Sequence, residues 1–478
     1  MSAHRATGPC GASGRVVYLF VMTGISDAAQ TVDTDLLVIG WGKAGKTLAK
    51  DLGSRGRRVV LVERDDTFVG GSCINVACVP TKDLIDSAEH RADAEPAAYL
   101  RQAIASRDSL VARLRAANRA MLETVEAVTL ISGEASFVGP HRVRVRAGDE
   151  TLEITAEQIV INTGSSPLLP ELPGIDGPNV HTSQSIQHIA ALPERLAIVG
   201  GGFIAMEFAS MFAAFGSQVV VLERSPRFGA GLDDDVREAV LAALTDRGVR
   251  ILTDAAVESI DQTGVNTPAG RVDADAVLVA TGRRPETAAL NLDAAGITTD
   301  ERGFIVVDER LATSAPGIWA AGDVNGGPQF TYISLDDYRV IASQLVGDGS
   351  RTTADRSAVP NTTFITPPLA RVGLSEREAR RQGVDHVVAV KNVADIAAMP
   401  RPKILGETHG LIKVLVDPGT DLVLGATVFC TDAQEVINLV ALAMRAGVTA
   451  TQLRDGIWTH PSSTEALNEV LATLPTGR

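Results

Sequence analysis

Cysteine is scarce in this chain: four residues in 478, at positions 10, 73, 78 and 430. So few thiols fit a reducing compartment, and a cytoplasmic location is expected. Positive charge is short as well. Lys and Arg number 44 against 58 Asp and Glu, a net charge of −14, which argues against nucleic acid and against docking on an anionic membrane as partners. Long apolar runs are lacking too. The stretch Val16 to Met22 is too short to span a bilayer, and no small-residue cleavage site follows it to mark a signal peptide. Residues 1–32 are expected to be a loose tail, or the true start is Met22.

What is present suits a large soluble enzyme. Apolar residues make up 45% of the chain and glycine is abundant at 44, as repeated phosphate-binding turns require. The length suggests two to four domains.

The densest chemistry lies in Gly70-Gly71-Ser72-Cys73-Ile74-Asn75-Val76-Ala77-Cys78-Val79-Pro80-Thr81-Lys82. On an undistorted helix, positions five apart point about 140° away from each other. Their Cα atoms then exceed the roughly 7 Å reach of a disulfide. The pair can bridge only if Cys73 sits in an irregular first turn, which the preceding glycines allow and Pro80 favours. A helix N-terminus also favours thiolate. This spacing predicts a redox-active dithiol. The alternatives are two core cysteines, or half of a metal site that needs the distant Cys10 and Cys430.

Ahead of the dithiol, strand Thr34–Ile39 leads into Gly40-Trp41-Gly42-Lys43-Ala44-Gly45, a helix through Leu52, and strand Val59–Val62 ending in Glu63. Strand, G-x-G-x-x-G, helix, strand and acid make a complete dinucleotide fingerprint. Gly40 makes the turn, Gly42 lets a pyrophosphate approach and Gly45 allows helix–strand packing, with Glu63 on the ribose. The same stretch, through Lys46-Thr47, matches the P-loop pattern G-x-x-x-x-G-K-T. A P-loop ATPase needs a later strand ending in a magnesium-binding acid, for which Ile318–Ala321 before Asp323 is a poor candidate. That reading explains neither Glu63 nor the dithiol.

The fingerprint recurs. Strand Leu196–Val199, Gly200-Gly201-Gly202-Phe203-Ile204-Ala205 and strand Val219–Leu222 ending in Glu223 repeat the first unit. Two dinucleotide sites in one chain imply FAD plus a nicotinamide nucleotide. Glu223 suits the ribose of NADH and repels the 2′-phosphate of NADPH. Nearby Arg224 and Arg227 could accept that phosphate, so NADPH stays open.

The dithiol motif resembles that of the class I flavoprotein disulfide reductases, a family that includes glutathione reductase, lipoamide dehydrogenase and mercuric reductase. Ala77 and Ser72 replace the family's usual glycine and threonine. The resemblance implies an α/β fold with two Rossmann-like dinucleotide-binding domains, for FAD and NAD, and a C-terminal α+β dimerisation domain. It divides the chain into FAD-binding segments 33–165 and 285–355, an NAD(P)-binding segment 166–284 and a dimerisation domain 359–478. It implies that Ser72, Lys82, the strand end Thr163-Gly164 and Asp323 of Gly317–Asp323 serve FAD. Phe203 takes the place of the gate over the nicotinamide, Glu207 pairs with Lys82, and Gly282 belongs to the nicotinamide side. Cys78 is the flavin-proximal sulfur and Cys73 the outer one. His460 and Glu465, in His460-Pro461-Ser462-Ser463-Thr464-Glu465, reach the dithiol of the second subunit of a homodimer, where a histidine near its ordinary pKa of about 6.5 takes a thiol proton.

The electron acceptor is a metal ion or small molecule. The chain lacks the C-terminal cysteine pair that feeds mercury or thioredoxin, and Gln329-Phe330-Thr331-Tyr332 departs from the lipoamide enzymes. These features resemble a bacterial branch of the family active in reactive-chlorine defence, with copper(II) reduction as its proposed activity. No metal ligand set is assigned, although Cys73 and Cys78 suit a soft ion such as Cu(I) as transient contacts. Lipoamide dehydrogenase or another disulfide reductase is the alternative.

Overall fold

A computed structural model describes residues 30–475. Most of the expected N-terminal tail, and Cys10 with it, lies outside the described residues. Residues 30–32 do not belong to a tail: strand β1 runs Gln30–Ile39, because Gln30–Val32 extend the ladder against Leu152–Ile154.

The chain divides into two units, each formed from three segments. The first holds residues up to Pro80, Asp108–Ser166 and Arg283–Asp355. Here β1 leads into helix α1 (Lys43–Ser54) and strand β2 (Val59–Glu63). Helices α2 (Ser72–Asn75), α3 (Cys78–Glu89) and α4 (Pro96–Glu123) follow, and α3 and α4 run on into the second unit. Strands β3 (Val128–Ser132), β4 (Glu134–Gly139), β5 (Arg142–Ala147) and β6 (Glu150–Ile161) complete the sheet. Its order is β3-β2-β1-β6-β5-β4, with Ile318–Ala320 also paired to β6. The run Val128–Val138 reads as one strand in sequence but breaks at Gly133, where an added Cβ would stand 2.7 Å from the Arg146 carbonyl oxygen. Parallel pairing of β1 with β2 and β6 explains why β1 is continuously apolar from Leu36 to Ile39, all four residues being buried. It also sets Gly40, Glu63 and Asn162 together at the carboxyl ends of the strands, where open α/β sheets bind ligands.

The second unit holds Thr81–Arg107, Pro167–Gly282 and the chain from Arg356 onward. A five-stranded parallel sheet runs in the order Arg250–Leu252, Gln218–Leu222, Arg195–Val199, Ala276–Val279, Val180–Thr182. Its glycine-rich turn opens helix α5 (Phe203–Phe215), buried from Ala205 to Phe212. An antiparallel five-stranded sheet from Asn361 to Phe429 packs against helix Ala433–Ala446. Cys430, at the end of this sheet, is fully buried; burial pushes its thiol pKa up, as befits a core cysteine.

Lys413 sits in the middle of this sheet at 2% exposure. Its ammonium lies 2.5 Å from Glu376, 2.9 Å from Asp235 and 3.2 Å from Asp233. Removing one partner of a buried ion cluster strands the others. Lys413→Met should therefore destabilise the chain by about 3–5 kcal/mol, read as a lower urea midpoint of unfolding. A midpoint equal to wild type would show that the cluster does not hold the fold.

Candidate active site

The two cysteines lie on either side of a break between helical segments. Gly70 and Gly71 turn the chain with φ of +94° and +84°, values that residues with a Cβ rarely adopt. A Cβ on Gly71 would stand 2.9 Å from the Trp41 carbonyl oxygen. The single turn α2 then carries Cys73, ends at Val76 (φ −143°), and α3 restarts at Cys78. The irregular first turn that bridging requires is present. Asn75 secures it, its amide donating to the carbonyls of Val69 and Gly71 at 2.9 Å each and accepting from Arg115 at 3.0 Å.

Both cysteines are free thiols. Cys73 is partly buried, and its hydrogen bond to Cys78, together with burial, pushes its pKa up. The thiolate preference expected from a helix N-terminus is thus overridden at Cys73, because the neighbouring sulfur competes for the same proton. Thr331, which opens helix Thr331–Val346, sets its hydroxyl 3.7 Å from Cys78 Sγ. Phe330 and Tyr332 flank it and stack with ring centroids 5.1 Å apart.

The same unit holds the first glycine turn. Gly42 precedes α1, and a Cβ there would stand 2.3 Å from Asn162 Oδ1. Asn162 is the hub of this turn: its Oδ1 accepts from the Gly45 N–H at 2.8 Å, and its Nδ2 donates to the Ala321 carbonyl at 2.5 Å. Glu63 accepts from the Trp41 N–H at 3.0 Å, and burial holds its carboxyl above the usual range. A cleft lined by Gly40, Glu63, Gly133, Thr163, Glu286 and Leu290 opens here. The Thr163 hydroxyl is buried without a partner. Ser72 lies near Gly164. Asp323 accepts from Ser165 Oγ at 2.6 Å, and Arg283 donates to the same serine at 2.8 Å.

The P-loop reading fails on geometry. Lys46 does not face an anion cradle; its ammonium is buried against the Gly70 carbonyl and Asn118.

In the second unit, Gly200 turns with φ +111° and Gly202 precedes α5. The Glu223 carboxylate lies under this turn, 2.5 Å from where a Cβ on Gly201 would stand, and accepts from the Ser225 N–H at 2.8 Å. Arg227 is engaged by Asp234 at 2.6 Å and by the Leu232 carbonyl at 3.1 Å. Phe203, first residue of α5, is 46% exposed, with Arg371 stacked 5.5 Å from its ring centroid. Lys82 donates to Glu207 at 2.6 Å, and Glu207 also accepts from the Phe364 N–H at 2.8 Å. Gly282 accepts from the Leu168 N–H. His460 Nδ1 lies 2.8 Å from Glu465 Oε1, and the other carboxylate oxygen accepts from the Ser462 N–H. Burial would raise the Glu465 pKa, but Ser462 and His460 together hold it below the usual range.

Sequence reasoning missed Asn162, Ser165, Arg283 and Thr331. Asn162, Ser165 and Arg283 adjoin Thr163, Gly164 and Gly282, which were singled out, and Thr331 lies within the run Gln329–Tyr332. That adjacency was the one available signal. Among the described residues, no group of three or more His, Cys, Asp or Glu could hold a metal ion, and no helix is long and apolar enough to cross a membrane.

A redox-disposed thiol pair, two glycine turns with acids beneath them and a C-terminal antiparallel domain define a class. The pyridine nucleotide-disulphide oxidoreductase model matches residues 34–337, and the dimerisation domain of that family matches 359–471. The chain belongs to this family of oxidoreductases, which use FAD and NAD(P)H. More particularly, it is 44% identical to the probable pyridine nucleotide-disulfide oxidoreductase RclA of Escherichia coli, over 91% of this chain and 98% of that one. The copper(II) complex of the HOCl-induced flavoprotein disulfide reductase RclA from E. coli superposes with a TM-score of 0.88 at 43% identity, covering 92% and 99%. Mercuric reductase from Staphylococcus aureus is 34% identical over 91% and 81%.

The residues present fit FAD: a cradle that a Cβ would fill, an acid at the end of β2 and an unpartnered buried hydroxyl in the cleft. Gly42→Ala should displace Asn162 and weaken FAD binding about tenfold or more, since the freed Gly45 and Ala321 groups lose partners worth about 1–3 kcal/mol. Flavin absorbance per protein after dialysis, with FAD titrated back, measures the loss; full flavin content in the variant refutes the placement.

Proposed function

We propose that this protein is an NADH-dependent flavoprotein reductase, working as a cytoplasmic homodimer. It passes electrons through Cys73 and Cys78 to copper(II) or a small disulfide in defence against oxidants such as reactive chlorine. The observation that carries this reading is the pair of free cysteines, Cys73 and Cys78, on either side of the α2–α3 break, in the unit that also holds a dinucleotide turn. Similarity to RclA, whose structure is a copper(II) complex of an HOCl-induced enzyme, supports the choice of acceptor and setting.

In this reading segments 33–165 and 285–355 bind FAD, 166–284 bind the nicotinamide nucleotide and 359–478 form the dimer. Gly40, Gly42 and Gly45 admit the FAD pyrophosphate, Glu63 takes the adenosine ribose and Asp323 the ribityl hydroxyls. Ser72, Lys82, Thr163 and Gly164 complete that site. Gly200, Gly202, Glu223 and Gly282 hold the nicotinamide nucleotide, with Phe203 as its gate and Glu207 orienting Lys82. FAD, when bound, supplies the two-electron chemistry that joins nicotinamide oxidation to sulfur reduction.

Reduction adds two electrons and one proton to the Cys73–Cys78 disulfide, giving one thiol and one thiolate. Two copper(II) ions then take one electron each, the S–S bond re-forms and the remaining proton leaves, His460 accepting it. With a small disulfide, Cys73 thiolate attacks one sulfur, forms a mixed disulfide and releases one thiol; Cys78 then attacks Cys73 and releases the second. Glu465 fixes the ring of His460.

NADH oxidation with copper(II), oxidised glutathione, lipoamide and mercury(II) in parallel tests the acceptor. Copper(II) should give the fastest turnover, and Cys73→Ser should lower it by more than ~100-fold, as loss of a nucleophile does. Undiminished turnover in that variant sinks the dithiol route. Fast lipoamide turnover with none on copper(II) assigns the chain to the lipoamide dehydrogenases instead.

The nucleotide preference is a separate test. Glu223 lies beneath the turn, and Arg227 is occupied by Asp234, so a 2′-phosphate meets a carboxylate and no open guanidinium from that residue. The kcat/KM for NADH should exceed that for NADPH by at least ~10-fold, equivalent to about 1.4 kcal/mol. Glu223→Gln should narrow the gap; a wild-type enzyme that prefers NADPH contradicts the assignment.

A further inference from the structure

Lys46 has no part in the chemistry above, although the run Gly40–Thr47 marks it. It lies on α1 at 6% exposure. Its ammonium donates to the Gly70 carbonyl at 2.9 Å and to Asn118 Oδ1 at 2.6 Å. Both acceptors are neutral, and among the described residues no carboxylate bonds it. A buried charge without a counter-ion is costly, and such groups usually neutralise. Burial pulls its pKa down to about 8; Lys43 on the same helix adds to that fall, and Cys73 opposes it. Lys46 reciprocally favours the charged form of Cys73. From α4 it meets uncharged Asn118. Arg283, a second cation acting on the thiol pair, is bonded to Ser165 and faces the Asp323 carboxylate at 3.9 Å.

We propose that Lys46 is a positioning residue for the redox pair: it pins the Gly70 carbonyl, and with it the turn that delivers Cys73, and its ammonium is the counter-charge of the reduced pair. This rests on the dithiol reading above. The disulfide is neutral. Two electrons and one proton convert it to one thiol and one thiolate, a net charge of −1 shared by two hydrogen-bonded sulfurs. The Lys46 charge is therefore uncompensated before reduction and compensated after it. The field favours the reduced pair and raises its reduction potential. Lys46 then has a purpose distinct from phosphate binding.

The full-length protein, equilibrated at neutral pH in buffers of reduced and oxidised dithiothreitol, reports this directly. Thiols are trapped with a maleimide, and modification at Cys73 and Cys78 is counted by mass spectrometry. Lys46→Met removes charge and donor. Lys46→Gln removes the charge and keeps an N–H donor. Asn118→Asp leaves Lys46 in place and sets a carboxylate against it. All three should shift the exchange equilibrium toward the disulfide, the lysine variants by about tenfold, or about 30 mV for this two-electron couple. A wild-type potential in Lys46→Gln and Asn118→Asp overturns the counter-charge, even if Lys46→Met fails to fold. If Cys73 and Cys78 of the unmodified protein do not interconvert at all, the dithiol reading falls and not merely the role of Lys46.

Discussion

Everything at the sulfur centre depends on a backbone interruption of two residues. A continuous helix from Ser72 onward would satisfy its own hydrogen bonds and hold Cys73 and Cys78 apart. The chain instead stops α2 at Asn75 and restarts α3 at Cys78. The carbonyls of Val69 and Gly71 are taken up by the Asn75 amide, and Arg115 fixes that side chain in turn. Buried polar backbone must find partners somewhere. Here one asparagine supplies them, so the break is a stable feature and not a frayed end.

That geometry creates an electrostatic problem. Two thiols within hydrogen-bond reach cannot both ionise cheaply, which is why the Cys73 proton is held tightly. Thiol exchange nevertheless needs a thiolate. The first unit answers with surroundings that differ at the two sulfurs: Lys46 acts on Cys73, while Arg283 acts on Cys78 and Thr331 offers it a hydroxyl. Lys46 is anchored to neutral groups, Gly70 and Asn118, whereas Arg283 bonds Ser165 and also faces the Asp323 carboxylate at 3.9 Å.

Short motifs in the sequence carried the parts of this site that depend on local backbone. Gly70, Gly71 and Gly200 need positive φ, Gly42 needs an absent Cβ, and Glu63 and Glu223 close their strands within one βαβ unit. Each of these constraints spans fewer than about 30 residues and leaves a readable spacing. The side chains that lock the pieces together left no such trace. Asn162 bonds Gly45 across 117 positions and Ala321 across 159; Lys413 meets Asp235 across 178. Lys46 was misleading for the same reason. Its spacing matched a phosphate-binding pattern, but its direction was decided by Asn118, 72 residues away on α4. Binary pattern alone also ran β3 and β4 together, since nothing in it marks the break at Gly133.

The His460 loop illustrates the same division between orientation and partner. Glu465 is mostly buried and accepts from both the histidine ring and the Ser462 N–H. Ser463, itself buried, bonds Asp432, which also holds Arg401. The imidazole is thus aimed by three layers of contacts, yet its side chain is 71% exposed. A histidine serving only the core would be sealed there. Fixing its direction while leaving its far edge in solvent leaves that edge open to a group outside the unit, as the proposed site requires. In the proposed homodimer that is the thiol pair of the second subunit. The ordering cost is met within one subunit before the other is engaged, so assembly has little left to organise.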